Sequence, residues 1–98
     1  MGRDWLDRHT SQAPAALRAR VEQYARGASG SSVPHSLVAA SHAALDRALS
    51  HPGDRSAALD LLAADALITL ALLAQAETAP DHLEALATSI LFSSRMDA

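Results

Sequence analysis

The stretch Ala58-Leu59-Asp60-Leu61-Leu62-Ala63-Ala64-Asp65-Ala66-Leu67-Ile68-Thr69-Leu70-Ala71-Leu72-Leu73 decides the fold. Alanine and leucine are the strongest helix formers, and the run holds no glycine or proline to interrupt them. At about 100° per residue its large side chains point in almost every direction. Leu61, Ile68 and Leu72 share one side, Leu62 and Leu73 another, Leu59 and Leu70 a third, and Leu67 stands apart. A helix that is apolar all round must be buried all round.

Outward from this run, the helix extends over 55–77. Asp54 is its N-cap, and His51-Pro52-Gly53-Asp54 breaks the chain before it. Downstream, Thr78-Ala79-Pro80-Asp81 resembles a capping box, with Asp in place of the usual Glu. It opens a helix over 79–95 that places Leu83, Leu86, Ala87, Ile90 and Leu91 on one face and Phe92 on the other. Upstream, Ser32 caps a helix over 33–50, with Pro34 in its first turn and Leu37, Ser41, Ala44, Leu45, Ala48 and Leu49 inward. Before it, Leu17, Val21, Tyr24 and Ala28 mark one face of a helix over 12–26, with Thr10 or Ser11 as its cap. Residues 3–9 form a short turn around Trp5 and Leu6. Gly27 to Ser32 read as a flexible Gly/Ser connector inside a single domain covering 1–98.

Composition agrees with this pattern. Among 98 residues there are 23 alanines and 15 leucines, against nine valines, isoleucines and threonines together. The expectation is an all-α fold: a small bundle of four main helices plus a short N-terminal helical turn. The net charge is −3 and no basic stripe exists, so the electrostatic footprint of a nucleic-acid binder is missing. With no cysteine, disulfides and thiolate chemistry are excluded. The chain has eight arginines and no lysine, which together with the alanine content points to a GC-rich genome. The opening residues lack the apolar run of a signal peptide. Asp60 and Asp65 would be costly in a bilayer, so the expectation is a cytoplasmic chain with no transmembrane segment.

Two groups of residues could carry chemistry. His35, His42 and Asp46 lie at i, i+7 and i+11 on one side of a helix, the candidate metal set. No further strong ligand converges on them. The plainer reading is a solvated face with His42 and Asp46 as an ion pair, and no cofactor is expected. Asp60, Asp65 and Thr69 sit on the most apolar helix as candidate buried polar groups. Buried carboxylates with raised pKa can act as acids or bases. The two aspartates lie about 140° apart around the helix, so they do not form a facing pair. The plainer reading is that each meets an arginine, with Arg18, Arg20, Arg47 and Arg55 available, or reaches solvent. No Gly-x-Ser-x-Gly elbow and no Glu-x-x-His pair occurs.

The run Ala58–Thr69, with the Trp5-Leu6 opening, resembles short uncharacterised helical proteins of GC-rich bacteria, a likeness that covers most of the chain and implies no activity. Locally, Leu62-Ala63-Ala64-Asp65-Ala66-Leu67 is similar to an L-A-G-D-A-L helix of polyprenyl diphosphate synthases, with Ala64 where that family has glycine. Those enzymes bind magnesium and diphosphate through D-D-x-x-D motifs, and this chain has no adjacent aspartate pair. The resemblance therefore implies a helix-packing position for Asp65 and no catalytic role.

The functional expectation follows from coverage. Three other helices in a small chain can hardly enclose the helix over 55–77. The remainder should meet a second copy or another protein through Leu70, Leu73, Phe92 and Met96. The expected function is a non-catalytic assembly or interaction module, homodimeric. The alternative is a small helical ligand-binding protein or enzyme subunit with a site around Asp65 and His42.

Overall fold

A computed structural model describes the backbone of residues 3–96 and the side chains of residues 4–92. The protein is all-α, with helices α1 (Arg3–His9), α2 (Ala15–Gly27), α3 (Val33–Ser50), α4 (Arg55–Thr78) and α5 (Leu83–Met96). A 3₁₀ turn, Pro80–His82, leads into α5. Among the described residues there is no strand. The radius of gyration is 13.0 Å. That value is what a compact chain near this length should have.

α4 is the axis of the fold. It is 24 residues long. At the rise of an α-helix this spans about 36 Å. α3 covers more of it than any other helix, α2 covers a second side, and α5 makes a smaller contact. Small residues make the α3–α4 approach close: Ala40 and Ala44 on α3 and Ala63, Ala71 and Ala74 on α4 are fully enclosed. The hydroxyl of Ser41, itself buried, donates to the carbonyl oxygen of Ala64 at 2.8 Å. This bond satisfies the polar atom at that crossing. Leu67, Leu70, Val21, Leu37, Val38, Leu86, Trp5, Leu6 and Ala64 complete the core.

Helix ends follow local chemistry in two places and depart from it in two. Ser32 Oγ accepts from the backbone N–H of His35, and an Asp54 oxygen accepts from that of Ser56, so both expected caps form. Gly53 turns the chain before α4 with φ +86°, in the left-handed region glycine tolerates. Thr10, expected to cap α2, instead closes α1, its buried hydroxyl donating to the Leu6 carbonyl at 2.8 Å. α2 begins only at Ala15, behind Pro14 and without a side-chain cap. The expected capping box at 78–81 does not form either. Thr78 is still helical, and its hydroxyl donates to the Ala74 carbonyl at 2.7 Å. Such back-bonding to the preceding turn is the usual fate of a threonine that stays inside a helix.

The Gly/Ser connector makes one close approach. A Cβ on Gly30 would sit 2.8 Å from the backbone nitrogen of Ser36, so the chain passes tightly over the first turn of α3.

By length and composition α4 is long and apolar enough to cross a membrane, and 44% of its most apolar window is buried within the fold.

Candidate functional site

Asp60 is 2% exposed, on the side of α4 that faces α2. Two α2 residues one turn apart reach it. The Arg20 guanidinium pairs with Asp60 Oδ1, and the Tyr24 hydroxyl donates to the same oxygen at 2.9 Å. Arg20 also donates to Ser56 Oγ at 3.3 Å. Of the two outcomes expected for Asp60, an arginine or solvent, the structure has the arginine. Tyr24 falls on the apolar face by its spacing, and only the pairing of α2 with α4 reveals its second contact. Burial raises the Tyr24 pKa, and so do its hydrogen bond to Asp60 and that carboxylate's charge. The cluster is a polar strut between two helices. One carboxylate oxygen receives two donors, and the arginine is largely inside.

Asp65 and Thr69 are not buried. Both are exposed, which corrects their expected burial, and for Asp65 solvent is one of the two outcomes the plainer reading allows. Thr69 Oγ1 donates to the backbone carbonyl of Asp65 at 3.0 Å. The reason is position: they lie about 140° and about 180° around α4 from Asp60, away from α2 and α3. Asp65, to which the synthase likeness assigns a helix-packing position, faces solvent instead.

The metal candidates do not assemble. Among the described residues no group of three His, Cys, Asp or Glu side chains could hold a metal ion. His35 Nδ1 lies 2.7 Å from Ser32 Oγ, and Asp46 is exposed. His42 is half-buried, not on a solvated face, and its Nε2 is enclosed with no hydrogen-bond partner. The expected His42–Asp46 ion pair is not among the ion pairs of the described residues.

The expected interface residues divide. Leu70 belongs to the core at 6% exposure, which removes it from any docking surface. Leu73 and Phe92 are exposed, at 37% and 61%, and the side chain of Met96 lies outside the described residues. Sequence reasoning missed Leu61, Leu62, Leu49 and Leu91, all more than half exposed. Along the 3₁₀ turn and α5 an open groove is lined by Asp81, Glu84, Ala85, Thr88, Ser89 and Phe92.

A further cluster lies beyond what the sequence indicates. The indole of Trp5 stacks on the His9 ring, centroids 4.3 Å apart. His9 Nδ1 lies 2.8 Å from the Trp5 carbonyl oxygen. That oxygen can only accept, so the nitrogen carries a proton. The other ring nitrogen, Nε2, is 3.6 Å from Glu77 Oε2. The i, i+4 spacing of Trp5 and His9 is readable in the sequence, but nothing there places Glu77 against them.

Comparison of the chain with protein-family models, with curated proteins and with solved structures finds no match.

Proposed function

We propose that this protein is a non-catalytic assembly module that docks through the outward side of α4. The observation that carries the reading is the row of leucines left in water there. Leu61 and Leu62 are 53% and 56% exposed on the longest and most central helix, with Leu73 further along the same helix. Isolated exposed leucines are ordinary, but two adjacent ones on a core helix, with a third about 20° from the line of Leu62 further along, point to an interaction surface. Leu91 and Phe92 add a second apolar patch on α5.

The polar groups support the same reading. The buried carboxylate, Asp60, is occupied by Arg20 and Tyr24. Asp65 and His42, the centre of the alternative ligand-binding reading, share no hydrogen bond or ion pair among the described residues. Asp65 opens to solvent, where an enclosed catalytic carboxyl is not made. A homodimer in a bacterial cytoplasm belongs to the same proposal.

Light scattering on the purified chain tests it. The expected result is a mass above that of one 10.2 kDa chain at high micromolar concentration, or a stable complex with another protein. Leu62→Asp should abolish either without loss of helical circular dichroism. Unchanged association in that variant would overturn the reading.

A further inference from the structure

We propose that the outward side of α4 pairs antiparallel with the same side of a second copy, about a twofold axis level with residue 67. The proposal rests on the reading of this side as a homodimeric docking surface and adds its orientation and register.

Between 58 and 76, α4 holds Leu59, Ala66, Ile68 and Leu72 half-buried, Leu72 packed partly against the core, and leaves Ala58, Leu61, Leu62, Asp65, Thr69, Leu73 and Ala76 exposed. With Leu72 counted beside Leu73, the exposed order along the helix is self-complementary: small, Leu-Leu, Asp, Thr, Leu-Leu, small. In an antiparallel twofold pair, residues meet when their numbers share one sum, and a single register matches every member. Ala58 then faces Ala76, Leu62 faces Leu72, and Asp65 faces Thr69. Leu61 and Leu73 flank these layers. A twofold interface requires this property, one patch complementary to itself.

The spacing also suits a helix pair. Residues 58, 62, 65, 69, 72 and 76 alternate steps of four and three, the seam of a two-helix coiled coil. The seam runs about 27 Å. Small residues at both ends let the backbones close, and four leucines per copy fill the layers between.

Charge selects the orientation. Parallel pairing would stack Asp65 on Asp65, like charges facing in a leucine seam. Antiparallel pairing sets each Asp65 against a threonine hydroxyl. Thr69 Oγ1 now donates to its own chain's Asp65 carbonyl. Threonine divides between two rotamers in a helix, so the hydroxyl can turn to the facing carboxylate. A seam on one helix is smaller than the roughly 800 Å² per partner of a standard-size interface. The dimer is therefore expected to be micromolar, not obligate.

Crosslinking reads the register directly, because the natural chain has no cysteine. Ala58→Cys and Ala76→Cys, both at exposed positions, are mixed and treated with a short bismaleimide. The expected product is the mixed 58–76 dimer, with little crosslinking of either variant alone. Thr69→Asp should abolish it and lower the light-scattering mass to one chain, with helical circular dichroism intact. Crosslinking of Ala58→Cys to itself would show parallel pairing and overturn the proposal. A dimeric mass without the 58–76 product would overturn this register while leaving self-association standing. A monomer at millimolar concentration would overturn the pairing, and with it the homodimeric reading. A monomer that instead binds lipid vesicles through Leu62 would assign the same side to a membrane surface and overturn it too.

Discussion

The indole N–H of Trp5 donates a 2.8 Å hydrogen bond to Oε1 of Glu77, joining residues 72 positions apart. It ties the short helix α1 to the last turn of α4. A helix of so few residues does not hold by itself in water. Glu77→Ala leaves the indole without its acceptor and should cost about 1–2 kcal/mol, whereas Glu77→Gln keeps a carbonyl oxygen and most of the stability. Trp5 is the single tryptophan, so its fluorescence reports α1 directly. Urea unfolding followed by that signal and by circular dichroism should show Glu77→Ala loosening α1 before the bundle unfolds. Coincident, unshifted curves would contradict this.

The Arg20–Asp60 pair predicts an asymmetry. Arg20 is mostly inside, and Asp60→Leu strands its charge. Removing that one partner should destabilise by about 3 kcal/mol. Arg20→Met with Asp60→Leu replaces the pair by apolar groups and should recover most of that loss. Additive losses in the double variant would mean that the two residues act independently.

Tyr24 sets an alkaline limit. Its folded pKa lies above the ordinary value of 10.0. The unfolded chain therefore loses the phenol proton first. The stabilisation is fully present below about pH 10 and declines as pH rises toward the folded value. Tyr24→Phe should remove this decline while costing about 1 kcal/mol at neutral pH for the lost hydrogen bond. Denaturation midpoints between about pH 8 and pH 11 check it. An identical slope in both chains would refute the assignment.

His42 carries an enclosed Nε2 with no partner. An unpaired buried polar atom costs about 1–3 kcal/mol. His42→Leu should therefore raise the melting temperature. The same enclosure keeps His42 from acting as a metal ligand, so zinc titration by calorimetry should show no tight site. A lower melting temperature in His42→Leu would show that the imidazole has a partner in solution.

Gly30 and Gly27 should respond oppositely to alanine. At Gly30 a Cβ meets α3 backbone, which cannot step aside. Gly30→Ala should cost about 1–3 kcal/mol. At Gly27, the last residue of α2, a Cβ meets nothing within 4 Å. Gly27→Ala should be neutral or stabilise by up to about 1 kcal/mol. Thermal melts of the two variants decide it.

The sequence by itself determined the helices, because helix formation is local. Alanine and leucine content, Ser32, Asp54, Pro34, Pro52 and Gly53 act within a turn or two of where they stand, so the extents of α3 and α4 were legible to within a residue. The failures at Thr10 and Thr78 are local as well: either hydroxyl can cap the next helix or fall back on its own, and the sequence does not rank the two. Tertiary structure alone decided which side of α4 faces out. With leucines in nearly every direction, the helix has no apolar side to orient it, and burial goes to whichever sides α3 and α2 cover. That choice took Leu70 into the core and left Leu61 and Leu62 in water. It gave Asp60 an arginine and a tyrosine, and gave Asp65 the solvent, although the two stand in nearly identical Ala/Leu surroundings. The physical reason is that a carboxylate's environment is set by the neighbouring helices, and nothing within one turn of either aspartate encodes those neighbours.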